Sequence, residues 1–144
     1  MRTAYKVVAH IIAAAVVVQA ALIAWSMFGL IPDLQNGVVP AERPWTAEMH
    51  GTIGMMVIPL LVLALVVIAL LAHAGLKWAL WLLLAVAVQI TLAFVAFLAT
   101  LPWVGALHGV NAFAIIALAE IGARSVAHAP AHVPGTRKVM RPAT

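Results

Sequence analysis

The chain has 144 residues, 66% hydrophobic and 8% charged, with a formal net charge of +4 and a mean hydropathy of +1.14. A soluble domain carries about 25% charged residues, and one small core has no room for so much apolar surface. A soluble enzyme, a disordered tail and a disulfide scaffold are excluded, and the lack of cysteine removes thiolate metal sites and iron–sulfur clusters.

Four apolar runs are long enough to cross a hydrocarbon core of ~30 Å, which takes about 20 helical residues. The first, residues 4–30, carries His10 and Gln19. Arg2 and Lys6 resemble the start of a secretory signal, but an apolar stretch of over 20 residues exceeds the usual h-region of about 7–15, so it reads as a retained helix. Residues 31–48 form a turn-rich connection with Pro32, Asn36-Gly37, Pro40 and Pro44. The second run, 49–73, opens with His50 and contains Pro59, which predicts a kink that frees the Met55 carbonyl. A minimal turn at Ala74-Gly75 leads into the third run, 75–101, with Gln89 and Thr91. Residues 102–105 lead into the fourth, 105–124, with His108, Asn111 and Glu120.

These runs predict an all-α integral membrane protein, an up-down-up-down four-helix bundle within residues 1–126, because lipid leaves the backbone no partner outside helices and short connections force antiparallel neighbours. A basic tail, 127–144, follows and reads as unstructured. Arg2, Lys6, Lys77, Arg124, Arg137, Lys138 and Arg141 fall on one side and Arg43 on the other. The positive-inside rule then places both termini in the cytoplasm of a cell-membrane protein. Trp25, Trp45 and Trp103 fall at the outer interface, Trp78 and Trp81 at the inner one. The expected partners are the bilayer and a redox protein or larger membrane complex; no nucleic acid is expected.

Polar side chains inside membrane helices are costly and therefore carry the functional reading. His50 and His108 each occupy the first turn of an even-numbered helix, at one depth, on helices that lie diagonally across the bundle. Gly54 and Ala112, four residues on, share the faces of the two imidazoles and keep the space beneath them low-walled. This pattern suits a haem b held by one imidazole from each side. Ile53, Val57, Phe94, Phe97, Trp25 and Phe28 are expected to line it, with Arg43, Trp45 and Thr46 meeting its propionates. The second ring nitrogen needs an acceptor, either a carbonyl one turn back or Glu48.

A zinc site from His50, His108 and Glu48 is disfavoured: Glu48 and His50 point to different helix faces, and no HExxH spacing occurs. His10 and His73 are candidates for a second haem, although His73 reads more simply as an interfacial residue at a helix end and His10 as a snorkelling or hydrogen-bonded one. Gln19 and Gln89 are expected to set helix register, and Glu120 to stay protonated or approach Arg124.

The order Trp45-Thr46-Ala47-Glu48-Met49-His50, then Gln89-Ile90-Thr91-Leu92-Ala93, then Leu107-His108-Gly109 resembles one four-helix half of the haem A synthase family. That family's glutamate stands three residues before its histidine, where Glu48 stands two before His50, and Gly51 occupies a position usually held by Arg. The resemblance implies haem ligation by His50 and His108, and that any enzymatic activity is haem-dependent oxidoreduction or haem modification. The chain is also similar to small four-helix membrane proteins with a repeated glutamine and His-Gly pattern, a likeness that implies no activity. The leading expectation is a membrane b-type cytochrome in electron transfer or haem handling. The alternative is a haem-free accessory subunit of a membrane complex.

Overall fold

The computed structural model describes residues 1–128, and the remainder of the basic tail lies outside the described residues. The described residues form four long helices and no strand: α1 (Arg2–Gln35), α2 (Trp45–Ala72), α3 (Leu76–Leu98) and α4 (Pro102–His128). All four are long and apolar enough to cross a membrane. Consecutive helices pack on each other, and α1 closes the ring against α4, so that α2 and α4 face each other diagonally.

The helix ends differ from the sequence expectation for local reasons. α1 runs five residues further and keeps Pro32 inside its last turns, at the loss of the i→i−4 bond that an N–H there would make to the Phe28 carbonyl. It stops in a Schellman arrangement: Val38 N–H donates to the Asp33 carbonyl at 2.9 Å and Gly37 N–H to that of Leu34 at 3.1 Å, with Gly37 at φ +72°. α3 ends earlier, because Thr100 turns left-handed (φ 51°) and Leu101 N–H reaches back to the Ala96 carbonyl. Pro102 then opens α4, where its missing N–H costs nothing. α2 starts four residues early, directly after Pro44.

α2 is not uniform. Residues Ile53–Val57 form a π-helical turn, with Ile58 N–H donating to the Ile53 carbonyl five residues back. It sits one turn before Pro59, where the sequence predicts a kink.

Ile12, Val62, Leu65, Leu82 and Ile115 are fully buried along the axis, while leucines and valines cover the exterior. One end of the bundle carries the α1–α2 connection with Arg43; the other carries the α2–α3 turn with Gly75. At the Gly75 end Tyr5, 1% exposed, donates from its hydroxyl to the Gly75 carbonyl at 3.1 Å. A Cβ at Gly75 or Gly122 would stand 2.8 Å from Tyr5 atoms, so both glycines make room for that ring.

Candidate functional site

Towards the Arg43 end, each hairpin builds the same bracket across its two helices. On α1–α2, His50 Nδ1 donates to the main-chain carbonyl of Gln19 at 3.1 Å. On α3–α4, His108 Nδ1 donates to the main-chain carbonyl of Gln89 at 3.0 Å. A carbonyl can only accept, so each neutral ring holds its proton on Nδ1 and presents a lone pair at Nε2. The acceptor is thus neither Glu48, which is exposed, nor a carbonyl one turn back on the same helix.

The two brackets face each other. The His50 and His108 ring centroids are 6.3 Å apart, with planes inclined at 62°. An iron between two imidazoles needs about 2 Å for each bond and about 1.1 Å from nitrogen to ring centre on each side, roughly 6 Å in all. The centroid separation is close to that value, and both rings are oriented by main-chain carbonyls.

Below the rings lies a cavity of about 120 Å³, walled by Gln19, Gln89, Gly54 and the apolar Val16, Ile58, Val86 and Ile115. It is too small for a macrocycle, which needs several hundred Å³. An adjoining groove of about 600 Å³, formed by α1, α2 and α3, shares His50, Gly51, Met55 and Ala93 with the cavity. Phe94, Phe97 and Arg43 line that groove, so the structure brings three of the sequence candidates to one opening beside His50.

Gly54 has a different purpose from the one its spacing suggests. Gln19 Nε2 crosses it to donate to the His50 carbonyl at 2.7 Å, and a Cβ at Gly54 would lie 2.6 Å from that nitrogen. The His50 carbonyl also accepts from the Ile53 N–H, and the π turn begins at that residue. Ala112 sits half-buried at the margin of the core.

Other candidates lie apart. Trp45 packs edge-on against Trp25, ring centroids 6.0 Å apart, in a separate crevice of about 240 Å³ that also holds Thr46. Phe28 and Val57 are exposed on the exterior. His10 Nδ1 pairs with Glu120 Oε1 at 2.9 Å, so Glu120 meets His10 rather than Arg124. His73 terminates α2 in a left-handed conformation. Among the described residues no three His, Asp or Glu side chains cluster to hold a metal ion, so no His50–His108–Glu48 triad assembles.

Sequence reasoning passed over Gln19, Gln89 and Asn111 as site residues. Asn111 Nδ2 donates both to Gln89 Oε1 at 2.7 Å and to the Ala85 carbonyl at 2.9 Å. Gln89 Nε2 in turn lies 3.2 Å from His108 Nε2. The available signal was their cost: an amide in an apolar helix wants a partner, and each glutamine precedes a His-Gly pair by one helix. No family model, curated protein or solved structure matches the chain.

Proposed function

We propose that the chain is a small four-span membrane protein of b-type cytochrome character, holding haem between His50 and His108 for electron transfer or haem handling. The observation that carries this reading is the 6.3 Å separation of two imidazoles whose Nδ1 atoms are both tied to main-chain carbonyls. Bound haem supplies an iron that exchanges single electrons. The protein supplies the rest: the Gln19 and Gln89 carbonyls fix ring tautomer and direction, Phe94 and Phe97 offer apolar surface, and Arg43 offers a cation for a propionate. The resemblance to half of a haem A synthase points the same way.

Membrane insertion is part of the proposal, supported by four apolar helices whose outward faces are leucine- and valine-rich. Arg2, Lys6, Lys77 and Arg124 gather at the Gly75 end and Arg43 at the other, which favours cytoplasmic termini and a haem near the outer face.

Protein purified in detergent from haem-replete cells, then reduced with dithionite, is expected to show the sharp α and Soret bands of low-spin iron. A pyridine haemochrome measurement is expected to give haem b at about one per chain. His50→Ala and His108→Ala should each abolish the low-spin spectrum. Colourless wild-type protein would overturn the reading and leave the haem-free accessory subunit in its place.

A further inference from the structure

Among the described residues, one buried side-chain polar atom stands without a partner. Ser26 on α1 is 2% exposed, and its hydroxyl forms no hydrogen bond. A serine or threonine inside a helix can turn its hydroxyl onto the carbonyl one turn back, as Thr91 does on α3 with the Ala87 carbonyl at 2.9 Å. Ser26 does not. It lines the crevice of about 240 Å³ between the last turns of α1 and the start of α2. A buried hydroxyl left in this way is costly, and a ligand in the crevice would supply what it lacks.

The rest of the crevice has one electrical sign. Trp25 and Trp45 wall it, with ring planes inclined at 67° and centroids 6.0 Å apart. Aromatic faces are negative, so two steeply inclined rings make a corner that favours a cation. Asp33 lines the same crevice, and among the described residues its carboxylate has no ion pair and no hydrogen bond. Arg43 lines the adjoining groove and not the crevice, so no cation of the chain answers Asp33 there. A calcium-type ion takes about 6–8 oxygens, whereas the described residues hold no cluster of three His, Asp or Glu side chains. An organic cation suits the rings better. A quaternary ammonium would satisfy the rings and the carboxylate but has no N–H for Ser26, whereas a primary ammonium answers all three. The crevice volume suits a small head group, below the roughly 300–1,000 Å³ of drug-sized ligands.

We propose that this crevice binds a primary alkylammonium group, carried by a soluble amine or by an aminophospholipid head group at the membrane surface. One N–H donates to Ser26 Oγ and another to the Asp33 carboxylate, while the charge lies against the faces of Trp25 and Trp45. The site stands apart from the two histidines and does not depend on the haem reading.

Tryptophan fluorescence of the detergent-purified protein in amine-free phosphate buffer tests this. The probes are ethanolamine, tetramethylammonium, and detergent-solubilised phosphatidylethanolamine and phosphatidylcholine. Ethanolamine is expected to give a saturable change, with tetramethylammonium at least about tenfold weaker, since it lacks the N–H donors. Half-saturation by phosphatidylethanolamine below that of ethanolamine assigns the group to a lipid, and the reverse order assigns it to a soluble amine. Asp33→Asn should weaken ethanolamine binding at least about tenfold, the loss of a charge-assisted bond, and Ser26→Ala about fivefold. Asp33 is exposed, so its variant is expected to keep the fold, which circular dichroism checks. No saturable response to ethanolamine or phosphatidylethanolamine in the wild type overturns the proposal. Equal or tighter binding of tetramethylammonium or phosphatidylcholine overturns it too, as does wild-type affinity in Asp33→Asn.

Discussion

Replacing Tyr5 with alanine is expected to destabilise the bundle by about 3 kcal/mol, at the low end of the range for emptying a large buried site. In the bilayer proposed here, lipid is as apolar as the core, so little transfer energy is at stake and the loss comes from packing and from one hydrogen bond. Tyr5 is fully buried, anchors the α2–α3 turn through the Gly75 carbonyl, and fills the space that Gly75 and Gly122 leave open. Gly75→Ala should approach the same loss from the opposite side. Its φ of +79° is strained for any L side chain, and the added Cβ would stand 2.6 Å from Val126 Cγ2 and 2.8 Å from the Tyr5 ring. Tyr5→Phe keeps the ring and should cost about 1 kcal/mol. Thermal unfolding in detergent, followed by circular dichroism, checks the ordering, and an unchanged midpoint in Tyr5→Ala would contradict it.

Gly54→Leu is expected to abolish haem binding although both proposed ligands remain. The new Cβ would begin 2.6 Å from Gln19 Nε2, so the amide must leave the His50 carbonyl. The rest of the leucine would then occupy much of the cavity of about 120 Å³ beneath the rings. Overpacking of this kind costs about 1–3 kcal/mol, which leaves the fold measurable. Gly54→Ala should be milder, because the atom it meets is the far end of a flexible side chain. Haem content of the two variants by pyridine haemochrome, beside their helicity, separates loss of the site from loss of the fold. Normal haem content in Gly54→Leu would show that Gln19 and the cavity are irrelevant to it.

The four helices and their diagonal arrangement were legible in the sequence because the runs are far longer than any soluble core requires, and their connections are short. The approach of His50 to His108 was legible in part: depth and helix order bring them to one level, while helix rotation turns them towards each other. Helix ends were less so: Pro32 and Pro102 read as breaks, yet Pro32 lies inside the last turns of α1, and Pro102 opens α4, where proline is tolerated. Gln19, Gln89 and Asn111 were missed for a different reason. Their importance lies in which carbonyl or ring each amide meets, and that depends on helix rotation, which hydropathy does not encode. The partnership of His10 with Glu120, 110 residues apart, was hidden for the same cause.

The π turn of α2 has a consequence for angular phase. Each helical residue advances the side-chain direction by about 100°, and the wide turn offsets that count locally. Deleting one residue within Ile53–Val57 while restoring regular winding would leave that phase nearly unchanged, whereas regular winding with every residue kept would swing Trp45–Thr52 by about 100° relative to the remainder of α2. His50 would then be carried around the helix and away from His108, with its sequence neighbours unaltered. The approach of the two imidazoles therefore depends on the winding of α2 as much as on residue type.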